Sequence, residues 1–171
     1  MNMDFNSCIP TKPHLAKFVF WLENMKDGEP LNLSYGGIVA HTLRLFLMNK
    51  SSMLREDKDG TWSVRDFTAP IPFRVTARME AFNSFYLSRR SIVMFNQHLH
   101  VLFYEMLLSR ILDKKLKYGM DEKAVIYEWM KELDIEELLT FDAADKAIHR
   151  LRVEKNLPKY NQQPRRTLAK A

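Results

Sequence analysis

The chain has 171 residues, of which 46% are hydrophobic, and its 26 basic and 21 acidic side chains leave a net charge of +5. Such a chain can bury a proper core, as one domain or a domain with a small appended lobe. The single cysteine, Cys8, excludes an intramolecular disulfide framework, and no apolar run reaches the roughly 20 residues of a bilayer span.

Charge is unevenly distributed. Residues 146–171 hold eight basic side chains, Lys146, Arg150, Arg152, Lys155, Lys159, Arg165, Arg166 and Lys170, against Glu154 alone. Subtracting these from the totals leaves 18 basic and 20 acidic residues upstream, a body of −2 joined to an end of +7. A cationic end of this kind is drawn to polyanions, nucleic acid first among them. The start, Met1-Asn2-Met3-Asp4-Phe5, has no basic region followed by an apolar run, so no secretory signal is expected, and a reducing, cytoplasmic setting follows.

In chain order, Cys8 falls in a segment expected to be loose. Leu15, Phe18, Val19, Leu22 and Met25 then recur at helical offsets, with Pro13 in the first turn and Gly28 as the stop. A second helix is expected from Ser34 as N-cap through Asn49, with Ile38, Val39, Leu43, Phe46 and Leu47 inward. The charged stretch 49–60, ending in Asp59-Gly60, reads as a hairpin turn or loop.

Residues 61–67 and 71–80 are expected to form two strands of a small antiparallel β-ribbon. In the second, Ile71, Phe73, Val75, Ala77 and Met79 alternate with wet positions. On that reading Arg74 and Arg78 project from one strand face about 13 Å apart, two pleat repeats. With Arg65 nearby they are candidates for phosphate contact, although exposed arginines on a strand are more often plain surface. The longest element starts at Ser88 or Ser91 and runs to about Lys117, with Ile92, Phe95, Leu99, Leu102, Phe103, Met106 and Leu107 on its stripe. Unbroken, it spans about 45 Å and serves as a central post. Gly119 ends it.

Beyond Asp121, Ile126, Trp129, Met130 and Leu133 mark another helix. Thr140 caps a last one that runs to about Asn156, just short of Pro158. In this last helix Phe141, Ala144, Ile148 and Leu151 define the buried side. Lys146, His149 and Arg150 fall opposite, with Arg152 at the flank. Helices of which the last is basic outside resemble a helix-turn-helix module, with Lys155, Lys159, Arg165 and Arg166 extending the cationic surface. No glycine marks the turn, and Glu132, Asp134, Glu136 and Glu137 place acid close by.

Catalytic patterns are weak. His98 and His100 point about 200° apart on a helix, while His14, His41 and His149 lack ligand-spaced neighbours, so no metal or other cofactor is expected. Gly36-Gly37 precedes a helix without the pattern of a phosphate loop, and no nucleophile elbow is present. An enzyme is not expected.

Three runs carry a resemblance. They are Ile9-Pro10-Thr11-Lys12-Pro13-His14-Leu15-Ala16-Lys17-Phe18; Phe85-Tyr86-Leu87-Ser88 with Ile92 and Phe95-Asn96; and Asp134-Ile135-Glu136-Glu137 with Phe141-Asp142 and His149-Arg150-Leu151-Arg152. They resemble uncharacterised small proteins carried by phages and mobile elements of Bacteroidota. The resemblance brings no catalytic residues; it implies a mobile-element protein in a bacterial cytoplasm, where DNA binding is a common task for proteins of this size.

The expected fold is therefore α+β and mainly α, with a long central helix, a small antiparallel β-ribbon and C-terminal helix-turn-helix-like helices. Residues 1–118 form the body, 119–157 the helical module and 158–171 a flexible basic tail. The expected partner is nucleic acid, double-stranded DNA in particular, without a membrane and with homodimerisation left open. The rival reading is a protein-interaction or structural component, of a phage particle or a host-directed inhibitor, that assembles through Met94, Phe95, Phe103, Tyr104 and Met106 of the long helix.

Overall fold

The computed structural model describes residues 6–34, 37–58 and 61–157. In chain order these form β1 (Asn6–Thr11), α1 (Pro13–Leu22), α2 (Ile38–Phe46), α3 (Lys50–Lys58), β2 (Ala69–Arg74), α4 (Ala77–Ala81), α5 (Arg89–Tyr118), α6 (Glu122–Glu132) and α7 (Phe141–Glu154). The fold is mainly helical, with one two-stranded antiparallel sheet and a long central helix.

The sheet differs from the expected ribbon. β2 pairs with β1, setting Ile9 opposite Ile71 and Thr11 opposite Ala69, while residues 61–67 form no strand. Ile9, Ile71 and Phe73 are all fully buried, so the N-terminal segment, expected to be loose, supplies the apolar edge that completes β2. On its other side β2 has only a one-residue bridge, in which Leu31 donates to the Pro72 carbonyl and accepts from the Arg74 amide. A strand with two prolines tolerates such sparse pairing.

Strand geometry also stops earlier than the alternating pattern suggested. At Thr76 the chain turns into α4, and the Thr76 hydroxyl accepts from the Met79 amide at 3.3 Å. Local capping by a threonine has won over period-two alternation. Upstream, residues 50–58 of the stretch expected as a hairpin turn or loop are α3, begun by Asn49, whose side chain accepts from the Ser52 amide at 2.8 Å, while Asp59 and Gly60 lie outside the described residues.

α5 is the post around which the rest is built. Phe95, Leu99, Phe103, Leu107 and Ile111, spaced by four, are all fully buried. Ser88 caps it by accepting from the Ser91 amide at 3.0 Å, and Gly119, at φ 65°, closes it through a bond to the Lys115 carbonyl. α1, α2, α3, α6 and α7 all pack on it. At its middle Phe103 meets Phe18 edge-on at 5.3 Å and Trp129 at 6.0 Å. The core is one continuous cluster that includes Ile126 and Trp129 of α6 and Ile148 of α7.

This packing bears on the aromatic side chains of α5. Phe95 and Phe103 are fully buried, Tyr104 nearly so, and Met106 is half-buried; only Met94 keeps substantial exposure, at 39%. The surface proposed for self-association is therefore mostly interior. No helix among the described residues is long and apolar enough to cross a membrane.

Candidate nucleic-acid face and the groove beside it

α7 starts where Thr140 accepts from the Ala143 amide at 3.3 Å, and it buries Ala144, Ile148 and Arg152. Its phase differs from the expected one by the inward turn of Arg152. This side chain, 7% exposed, donates from Nη1 to Glu122 Oε2 of α6 at 2.6 Å. Expected at the flank of a phosphate-binding surface, it instead ties the last two helices together. Phe141 and Leu151, expected inside, are half-buried, with Phe141 stacked on Tyr127 at 4.5 Å.

Lys146, His149 and Arg150 do lie on the exposed side of α7, and none has an ion-pair partner among the described residues. Asp142 and Glu154 are exposed on the same helix. Lys155, just past its end, is bonded to Glu105 of α5 at 2.7 Å. Lys159, Arg165 and Arg166 lie outside the described residues.

The remaining candidates do not join one strand face. Arg74 is exposed at the end of β2 and Arg78 is exposed in α4, on separate elements, with Arg65 in a turn of the preceding segment. At the start of α5, Arg90 pairs with Glu56 at 3.5 Å, and the Arg89 amide is bound by Asp57 at 2.8 Å. The α6–α7 connection, residues 133–140, is longer than the three or four residues of a helix-turn-helix turn. It is pinned by buried Leu133 and Ile135 and by Asp134, which pairs with Lys17 at 3.1 Å.

Gly37, before α2, has a packing role, and Gly36 lies outside the described residues. Glu23 accepts from the Gly37 and Val39 amides, each at 2.9 Å, so a carboxylate of the chain itself already occupies that helix N-terminus. A β-carbon on Gly37 would collide with it.

The start of α1 is arranged differently. No side chain caps it and no acid lies in its first turn. Asn96 of α5, buried, holds the junction with β1 by donating to the Pro10 carbonyl at 3.0 Å and accepting from the Lys12 amide at 3.2 Å. This fixes Lys12 and His14 over α5, where Lys12 borders two hollows of about 570 and 500 Å³ that share Lys12, His100 and Val101, and His14 borders the second. The second hollow is also lined by Arg150 and Lys155.

Burial shifts three of the groups that line it. His14 is pushed down to about 4, first by burial and then by the charge of Lys12 and by His100, so it is neutral near pH 7. Burial and Lys12 lower His100 as well, and burial raises the Tyr104 phenol. Sequence reading passed over this groove because its members come from α1, α5 and α7; the only local hint was Lys12-Pro13-His14 at a helix start. Among the described residues no group of histidine, cysteine and carboxylate side chains is placed to hold a metal.

Compared with known protein families, with curated proteins and with solved structures, the chain matches none of them.

Proposed function

We propose that the protein binds nucleic acid, with duplex DNA as the partner, through the solvent side of α7 and the basic residues that follow it in the sequence. The observation that carries this reading is the sorting of cations on one helix. Arg152 and Lys155 are engaged by Glu122 and Glu105, whereas Lys146, His149 and Arg150 are left in water. Lys146 and Arg150 set phosphate register, and His149 approaches a base edge. The setting in a phage or mobile element rests on the resemblance alone.

Charge on α7 itself limits the affinity it can provide. Asp142 and Glu154 offset Lys146 and Arg150, so the helix face is close to neutral. The positive excess resides in residues 158–171, which carry Lys159, Arg165, Arg166 and Lys170 and no acid. α7 then supplies orientation and the following segment supplies electrostatic attraction.

The test is a fluorescence-anisotropy titration of a labelled duplex with the full chain between 50 and 200 mM salt. Neutralising about four phosphates predicts a log–log slope near −3.6. Replacing Lys159, Arg165, Arg166 and Lys170 together by Gln should remove most of the binding. No binding at 50 mM salt, or binding indifferent to the fourfold replacement, overturns the proposal.

A further inference from the structure

We infer that the outer face of α6 is a stacking platform for an unpaired base, and that its partner is single-stranded DNA. At the centre of that face is Tyr127, 56% exposed, whose ring lies on Phe141 from the start of α7 at 4.5 Å and 13° from parallel. Phe141 covers one side of the ring, and exposure of this size leaves the other side in water. The stack fixes the ring before any ligand arrives, so a base adds to it with little ordering cost. Lys123 and Lys131 stand four residues to either side of Tyr127, exposed and on the same face of the helix.

Charge on α6 is sorted in a way that its composition conceals. The helix carries more acids than bases, yet every acid is engaged by a cation of a neighbouring helix: Glu122 by Arg152, Glu128 by Lys114 and Glu132 by Arg110. Lys123 and Lys131 have no ion pair among the described residues, so the charges left over on this face are positive. Lying about 12 Å apart along the axis, they reach phosphates on either side of a base seated on Tyr127. The acids nearest Phe141 in sequence that have no ion pair among the described residues are Glu136, Glu137, Asp142 and Asp145, and Asp142 lies in the first turn of α7. They temper the attraction, so the ring stack and not charge carries the preference for an unpaired base. The internal bases of a duplex are stacked on one another and offer only their edges, whereas a single strand offers ring faces.

The inference rests on the proposed function only for the choice of DNA as the polymer. Its probe is a labelled, non-self-complementary single strand of about twelve nucleotides, titrated with the full chain by fluorescence anisotropy at low salt. An abasic strand of the same length keeps the phosphates and removes the bases. The intact strand should bind about tenfold more tightly than the abasic one. Tyr127→Ala, checked for folding by circular dichroism, should remove that advantage, and Tyr127→Phe should keep it, with duplex affinity unchanged in both. Lys123→Gln and Lys131→Gln should each make the single-strand salt slope shallower by about 0.7. Loss of duplex binding with the Tyr127 effect retained would overturn the α7 reading and leave this one standing. No binding of the single strand, equal binding of the abasic strand, no effect of Tyr127→Ala, or an equal loss on the duplex overturns the inference.

Discussion

Arg152, near the C-terminal end of α7, donates to Glu122, at the start of α6, over 2.6 Å, and its side chain is 8% exposed. Two residues thirty apart thereby close the helical pair against α5, one from each end of the hairpin. The arrangement gives Arg152 a structural task and separates it from the cations that remain in water.

Glu122→Ala should lower stability by about 2 kcal/mol. This lies below the usual loss for a fully buried pair because Glu122 keeps 21% of its side chain exposed. Lys155→Ala, which breaks an exposed pair with Glu105, should cost about 0.5 kcal/mol or less. Urea unfolding of the two variants measures the contrast, and equal losses would contradict the assigned roles.

Stability should fall on acidification through His14. The unfolded histidine titrates at 6.5 and the folded one at about 4, so between these values the unfolded state binds the extra proton. The stabilisation is full above pH 6.5 and is lost as pH drops towards 4, by about 3 kcal/mol for that interval. The titratable and charged groups lining the same hollow as His14 are Lys12, His100, Tyr104, Glu105, Arg150, Glu154 and Lys155; of these Lys12 and His100 act on His14, and His100 is itself lowered. In His14→Leu the loss of stability between pH 7 and pH 4.5 should be markedly smaller, as followed by urea midpoints.

Ser88→Ala should cost about 1 kcal/mol or slightly more. It removes the cap on the Ser91 amide and also the hydroxyl that donates to Glu56 of α3. Hydrogen exchange should speed up in α3 and in the first turn of α5, and leave amides near Phe103 protected.

Lys146→Gln and Arg150→Gln should each weaken duplex binding uniformly across sequences and make the salt slope shallower by about 1. Arg152→Gln should instead show itself in thermal unfolding. A stable Lys146→Gln, Arg150→Gln double variant with unchanged binding would assign the whole effect to residues 158–171.

Much of the helical architecture was legible locally. Ser88 and Thr140 each sit at a boundary they announced, because an N-cap side chain bonds within its next three neighbours; Gly119 ends α5 through a bond four residues back, and Asp121 marks the start of α6 without a side-chain cap. Thr76 carried the same kind of information, but the alternation from Ile71 to Met79 obscured it. Of the candidate nucleic-acid face, the outward positions of Lys146, His149 and Arg150 followed from periodicity. The inward turn of Arg152 did not, since only the approach of Glu122 makes burial of that charge tolerable.

Sequence by itself determined the helical character, the long central post, the charge asymmetry and the ends of the later helices, all of which arise from spacings within a turn or two. Tertiary structure alone decided that residues 6–11 and not 61–67 complete β2, that Arg152 turns inward, and that His14 meets α5 and α7 at a shared hollow. Strand pairing, charge burial and groove formation join residues separated by tens of positions. Their free energy depends on which surfaces meet, and no local pattern along the chain encodes that.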